Sequence, residues 1–201
     1  MFVKICGVRT ATDVAAVVES GADAVGFVLT ESPRQVTAEQ ARELAAELPP
    51  DVLSVGVCRG VPVDWVRTTV MAAGLHAIQL HGDYSPADFA ACADLPVRLI
   101  RGVAGHSTAD HYCGSHGEEI LLLDAPAPGS GKPWDWTNLA AEPPLGQWML
   151  AGGLHPGNVA EAISMIRPWG VDVSSGVETS RGVKDPALIV DFVRAAREAS
   201  R

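Results

Sequence analysis

Apolar residues in this chain come in short unbroken bursts, not in alternation with polar ones. Eight bursts stand out: Phe2–Cys6, Ala24–Leu29, Val52–Val57, Ala77–Leu80, Val97–Arg101, Ile120–Asp124, Gln147–Ala151 and Gly170–Val173. They are rich in Val, Ile and Leu and bounded by turn residues, the signature of parallel strands covered on both faces. The unit of strand, loop and helix recurs at intervals of roughly 20 to 28 residues. Eight such units predict an α/β fold, a single-domain (β/α)8 barrel of the TIM type over residues 1–201, near the lower size limit of ~200 residues. An open doubly wound sheet is the alternative, and eight near-equal units favour closure.

The stretches between the bursts carry helix punctuation. Thr37 and Gln40 have the spacing of a capping box, and Pro49-Pro50 stops the helix that follows. Ser85-Pro86 and Asp185-Pro186 each set an N-cap before a proline suited to the first helical position. Gly21 and Gly74 fit the left-handed position after a helix end. Val14, Val17 and Val18 in the first helix, and Leu188, Ile189, Phe192 and Val193 in the last, have the spacing of one buried face. The fifth and sixth units are weaker. Gly102–Glu119 is polar and His-rich, and Pro126–Pro144 holds so many prolines and glycines that its helix is expected to be short or absent.

Charge and composition narrow the classes. The chain is 47% hydrophobic and 19% charged, ordinary for one globular core. A net charge of −9 argues against nucleic-acid binding, which needs a basic face. There is no run of apolar residues long enough to span a membrane, and the N-terminus lacks the features of a signal peptide. Cys6, Cys58, Cys92 and Cys113 show no CxxC and no metal spacing, so they read as reduced thiols of a cytoplasmic protein. His106, His111 and His116 are spaced by five residues, share no helix face and make a poor metal site.

In a barrel, function collects where strands end. Those positions are Cys6-Gly7, Ser32-Pro33-Arg34, Gln79-Leu80-His81-Gly82, Arg101-Gly102, Asp124 with the Gly129–Lys132 loop, Gly152-Gly153, and Asp172 to Gly176. Cys6 alone reads as a small buried hydrophobe. Asp124 closes an apolar run, where a carboxylate is costly unless paired or used. Arg34 alone is as readily a solvated loop charge, and His81 reads as a satisfied strand-end histidine. The last two strands run into Gly152-Gly153 and into Ser174-Ser175-Gly176. Paired loops of this kind offer free N–H groups to a phosphate, with helices opening behind them at Asn158 and near Glu178. No Walker loop, GxGxxG, HExxH or nucleophile elbow is present. Gly129-Ser130-Gly131-Lys132 reads as a mobile loop over the site.

Taken together, the motifs resemble the phosphoribosylanthranilate isomerase family. They are Lys4-Ile5-Cys6-Gly7, Ser32-Pro33-Arg34, Gln79-Leu80-His81-Gly82, Asp124 with Gly-Ser-Gly-Lys and Asp135-Trp136, Gly152-Gly153-Leu154 with Pro156 and Asn158-Val159, and Asp172 to Glu178 followed by Gly182, Lys184 and Asp185. They fall in the family's order and span residues 3 to 185. The resemblance implies an Amadori rearrangement of N-(5-phosphoribosyl)anthranilate in tryptophan biosynthesis, with no metal or organic cofactor. It implies Cys6 as general base, Asp124 as general acid, Arg34 on the anthranilate carboxylate, His81 and Asp172 near the substrate, and Gly152, Gly153, Ser174, Ser175 and Gly176 around the phosphate. The chain departs from the family's pattern at Cys58-Arg59-Gly60, at Ala125 after the acid, and at Ser130 in the loop.

The chemistry needs what these residues offer: an acid to open the ribose ring, a base for the C2 proton, and fixed ends for phosphate and aromatic acid. For base work Cys6 must become a thiolate, with Lys4 two residues earlier on the same strand face to assist. Asp124 must hold a proton. The aminoaldose isomerase of histidine biosynthesis is the rival enzyme, disfavoured because that family has an aspartate where Cys6 stands and handles two phosphates. A barrel that only binds a phosphorylated metabolite would need neither Cys6 nor Asp124. The expected partner is a small phosphosugar–anthranilate substrate. Whether the protein is a monomer or a homodimer is open.

Overall fold

The computed structural model describes residues 1–105, 112–125, 134 and 136–201. Eight parallel strands close into a barrel in chain order: β1 Phe2–Cys6, β2 Ala24–Val28, β3 Leu53–Cys58, β4 Ala77–His81, β5 Arg98–Ala104, β6 Ile120–Asp124, β7 Trp148–Leu150 and β8 Gly170–Val173. Closure is made by β1 pairing with β8, Lys4 opposite Asp172 and Ile5 opposite Val173. Three of the eight strands match the sequence-based bounds at both ends, and β5 runs three residues further than expected.

The unbroken apolar bursts follow from closure. Successive side chains on a strand point to opposite faces, and here both faces are covered. One set fills the barrel, including Ala24, Val55, Ala77, Ile100, Ile120, Leu122 and Met149. The other set, including Ile5, Val25, Phe27, Leu80, Leu121 and Leu150, meets the surrounding helices. Each fully buried Ile, Leu or Phe contributes roughly 1.5–3 kcal/mol of transfer free energy.

The helices are α1 Ala11–Ser20, α2 Ala38–Ala45, α3 Val63–Ala72, α4 Pro86–Cys92, α5 Thr137–Ala141, α6 Val159–Ile166 and α7 Pro186–Ala199. Thr37 and Gln40 form the expected capping box. Asp185 caps α7 by accepting from the N–H groups of Ala187 and Leu188. Gly21 ends α1 in the left-handed region at φ 73°. Val18 departs from expectation: Val14 and Val17 carry the buried face of α1, and Val18 lies exposed at its edge.

Two regions differ from the sequence reading. Arg101 is not a residue of the barrel mouth: it is buried against Glu118, Nε to Oε1 at 2.8 Å, and ties β5 to the segment before β6. No helix opens at Glu178. A 3-10 turn, Ser175–Val177, runs instead into a hairpin of β9 Glu178–Ser180 and β10 Val183–Lys184, and α7 begins only at Pro186. Among the described residues no helix is long and apolar enough to cross a membrane. The expected loop at Gly129–Lys132, with Asp135, His106 and His111, lies outside the described residues.

Candidate active site

Period-two alternation carries particular side chains to the C-terminal mouth of the barrel. On β1 it puts Lys4 and then Cys6 on the inner face, and β8 contributes Asp172 opposite Lys4. Lys4 is fully buried, and its Nζ donates to Asp172 Oδ1 at 2.8 Å. Burial works against the ammonium, but Asp172 and Cys6 outweigh it and raise the Lys4 pKa above its ordinary value. Lys4 is therefore a fixed cation beside the thiol.

Cys6 pairs with Gly26 on β2, and that glycine makes the arrangement possible. A Cβ at residue 26 would lie 2.9 Å from Cys6 Sγ, 3.2 Å from Cys6 Cα and 3.3 Å from Lys4 Cε. The missing side chain is the space in which thiol and ammonium meet. Burial pushes the Cys6 thiol above its ordinary value, opposed by Lys4 and Lys184 and reinforced by Asp172. Burial thus favours the neutral thiol at Cys6, while the charges of Lys4 and Lys184 favour the thiolate.

Across the mouth, Asp124 ends β6. Burial raises its carboxyl to about 6, with the Ala125 N–H and the Lys4 and Arg59 charges pulling the other way. This carboxyl therefore keeps its proton to a higher pH than an ordinary carboxylate does. The Ala125 N–H donates to Oδ1 at 2.8 Å. His81 Nε2 stands 3.6 Å from Oδ2. His81 is held neutral, its pKa lowered to about 4 by burial and then by the Arg59 and Lys4 charges. Gln79 Nε2 lies 3.2 Å from His81 Nδ1. A donating amide there leaves the imidazole proton on Nε2, facing the acid.

The two glycine loops meet where expected. A cavity of about 50 Å³ is lined by Asp124, Ala125, Ala151, Gly152, Gly153, Leu154, Asp172, Val173, Ser174 and Ser175. Gly152 has φ 84°, and a Cβ on it would lie 2.4 Å from Ala125 N and 2.8 Å from Asp124 Oδ1. Only glycine lets this loop pass over the acid. Gly176 is not among the lining residues. Its bare Cα admits the carbonyl of Leu154, which a Cβ would meet at 1.8 Å, so Gly176 lets the two loops pack together. Asn158 fixes the first loop, donating from Nδ2 to Gly153 O at 3.0 Å and accepting from His155 N at 2.8 Å.

Arg34 is buried beside the mouth, its fork closed on Glu178: Nε to Oε1 at 2.6 Å and Nη2 to Oε2 at 2.9 Å. The sequence motifs contain Glu178 and Lys184 but assign them no role, because Arg34 and Glu178 lie 144 residues apart and nothing in the spacing shows that they meet. A wider cavity of about 580 Å³ opens on the other side of the mouth, lined by Arg59, His81, Tyr84, Val103 and Ala104 among others. Among the described residues no cluster of His, Cys, Asp and Glu could hold a metal ion.

A closed (β/α)8 barrel with a thiol, a raised carboxyl and a glycine-lined cavity at its C-terminal mouth defines a class, the barrel enzymes that act on small molecules. The N-(5'-phosphoribosyl)anthranilate isomerase family model matches residues 3–195. An N-(5'-phosphoribosyl)anthranilate isomerase of Nitrosomonas europaea is 43% identical over 204 residues, covering 97% of this chain and 94% of the relative. The crystal structure of TrpF from Jonesia denitrificans is 43% identical with a TM-score of 0.91, covering 100% of this chain and 98% of that one. A phosphoribosyl anthranilate isomerase in complex with reduced 1-(o-carboxyphenylamino)-1-deoxyribulose 5-phosphate is 34% identical with a TM-score of 0.83, covering 98% and 99%. The chain belongs to the N-(5'-phosphoribosyl)anthranilate isomerase family.

Proposed function

We propose that the protein converts N-(5'-phosphoribosyl)anthranilate into 1-(2-carboxyphenylamino)-1-deoxyribulose 5-phosphate, an isomerisation within tryptophan biosynthesis. The observation that carries the site assignment is the Cys6–Asp124 pair. The two groups end β1 and β6, on different sides of one mouth, and burial keeps Asp124 protonated at a pH where an ordinary carboxyl is ionised.

In this reading Asp124 donates its proton to the ribose ring oxygen. The C1–O bond breaks, and the anthranilate nitrogen supplies the electron pair that forms the C1=N iminium. That cation acidifies the C2 proton, which the Cys6 thiolate accepts, and the electrons of the C2–H bond move through C1=C2 to nitrogen. The enolamine then returns to the keto form. Lys4 stabilises the thiolate at the moment it is needed, and Asp172 keeps Lys4 in place. The phosphate sits on N–H groups of Gly152, Gly153 and Ser175, with Ser174 at the edge, Gly176 packing the two loops together, and the N-terminus of α6 behind. Arg34 takes the anthranilate carboxylate. His81 supports Asp124, and free thiols agree with a cytoplasmic enzyme.

Turnover of N-(5'-phosphoribosyl)anthranilate, assayed beside the aminoaldose substrate of histidine biosynthesis, tests the reading. The first should be isomerised and the second not. Cys6→Ala and Asp124→Ala should each lower kcat by roughly 10²–10⁴ with KM little changed. Near-normal kcat in both variants would sink the assignment of roles.

A further inference from the structure

The hairpin after the phosphate loop has no part in the mechanism above, yet its construction is specific. β9 and β10 are three and two residues long, and their register puts Lys184 opposite Glu178. Four donors converge on the Glu178 carboxylate. Arg34 Nε and Lys184 Nζ reach Oε1 at 2.6 and 2.8 Å, and Arg34 Nη2 and Gly182 N reach Oε2 at 2.9 and 3.0 Å. A carboxylate has about four acceptor sites, so Glu178 is saturated. The side chains of Arg34, Glu178 and Lys184 are 9%, 3% and 0% exposed. Arg9 frames the group, its Nη1 donating to Pro33 O at 3.0 Å and Gly182 O at 3.1 Å. Lys184 Nζ also donates to Ser174 O at 2.9 Å, and Ser174 Oγ donates to Cys6 O at 3.0 Å.

We propose that Glu178, steadied by Lys184, is a specificity-determining positioning residue. It occupies the Nε/Nη2 edge of Arg34, so that an incoming carboxylate is accepted only on the Nη1 side, in one orientation. The inference rests on the reading that Arg34 holds the anthranilate carboxylate. Glutamine cannot do the same work. Its one amide oxygen accepts from two donors, while its NH2 group faces the other two, and the guanidinium is no longer held.

The test compares two substrates, N-(5'-phosphoribosyl)anthranilate and its aniline analogue, which lacks the carboxylate. Glu178→Gln should raise KM for the first about tenfold, the lower end of what a charge-assisted hydrogen bond is worth. KM for the analogue, kcat for both, and competitive inhibition by inorganic phosphate should stay near wild type, showing the phosphate loop intact. An equal KM rise for both substrates, or a parallel loss of phosphate inhibition, would make Glu178 merely structural. A fall in KM would make it only a counter-charge to Arg34. Either overturns the proposal. Arg34→Ala separates the two levels. A penalty confined to the carboxylated substrate upholds the Arg34 reading, and an equal penalty for both removes it along with the proposal. Should Glu178→Gln fail to fold, Glu178→Asp keeps the charge with a shorter reach. It should show a smaller rise, again confined to the carboxylated substrate, and no selective rise would overturn the proposal.

Discussion

Gly26→Ala places a methyl group where Cys6 and Lys4 meet. Gly26 has ordinary extended backbone, not the left-handed conformation that would itself strain an alanine, so the effect is one of space. The new carbon would lie 2.9 Å from Cys6 Sγ and 3.2 Å from Cys6 Cα, against a favourable separation of about 3.5–4.0 Å. The deficit at sulfur is therefore roughly 0.6–1.1 Å. The Cys6 backbone has little room to give, because the Gly26 carbonyl accepts from Gly7 N at 2.8 Å and Val8 N at 3.2 Å and holds the strand end to β2. The thiol must rotate or retreat by most of an ångström. A displacement of about 1 Å costs on the order of 10² in rate. Steady-state kinetics should therefore show kcat about 100-fold lower, with KM within about twofold, because neither the phosphate loop nor Arg34 is touched. Overpacking should also cost about 1–3 kcal/mol, seen as a drop in Tm of about 2–4 °C per kcal/mol. A folded Gly26→Ala enzyme with wild-type kcat would refute the argument, as would one whose loss lies in KM.

Removing the acid should stabilise the fold while slowing catalysis. The Asp124 carboxyl is raised in the folded state, so its ionisation penalty is absent below the unfolded value of about 3.9, grows as pH rises, and is complete above about 6. Asp124→Asn should accordingly be more stable than wild type at pH 8, by on the order of 2–3 kcal/mol in chemical denaturation, with the difference vanishing near pH 3. Equal stability gain at both pH values would mean that ionisation is not the cause. Arg34→Lys should raise KM far more than it lowers kcat, since an ammonium cannot reproduce a fork; unchanged KM would return Arg34 to a structural role with Glu178. Inorganic phosphate should compete with substrate, and Gly153→Ala, at φ 69°, should weaken that inhibition along with substrate binding; undiminished phosphate inhibition would place the anion elsewhere.

The barrel was legible because a strand buried on both faces leaves an unbroken apolar record, and all eight such records became strands. Asp124 and the two glycine loops stand out in the sequence for a related reason: at strand ends a carboxylate or paired small residues break an apolar run, whereas Cys6 alone reads as one more buried apolar residue and gains its candidate role only from the family motif around it. The hairpin β9–β10 left no such record. It is five residues of strand, mostly polar, and it is held to a loop 144 residues earlier by the Arg34–Glu178 ion pair. Arg101 misled for the opposite reason, since its partner Glu118 lies in a polar segment with no periodicity to show that it packs inward. Gly26 reads in sequence as one more small residue of a strand. Its meaning appears only when β1 is laid beside it and the thiol is seen to occupy the space of the missing methyl.

The central claim is that a carboxylic acid held protonated and a thiol made anionic act on one substrate from two strands. The pH dependence of kcat/KM tests it most directly, because it reports the essential acid and base of the free enzyme. With Asp124 raised to about 6 and Cys6 raised above the ordinary thiol value by burial, the active form carries its protons in the less populated arrangement. The profile should rise to an inflection near pH 6, stay level, and fall only above the ordinary thiol range of about 8.5. Removing the Lys4 charge, by Lys4→Met, should move the upper limb to higher pH and lower the plateau, and the inflection near 6 should also move up, because Lys4 helps hold the Asp124 carboxyl down. A lower limb at the ordinary carboxylate value, or an upper limb that does not respond to Lys4, would contradict the account.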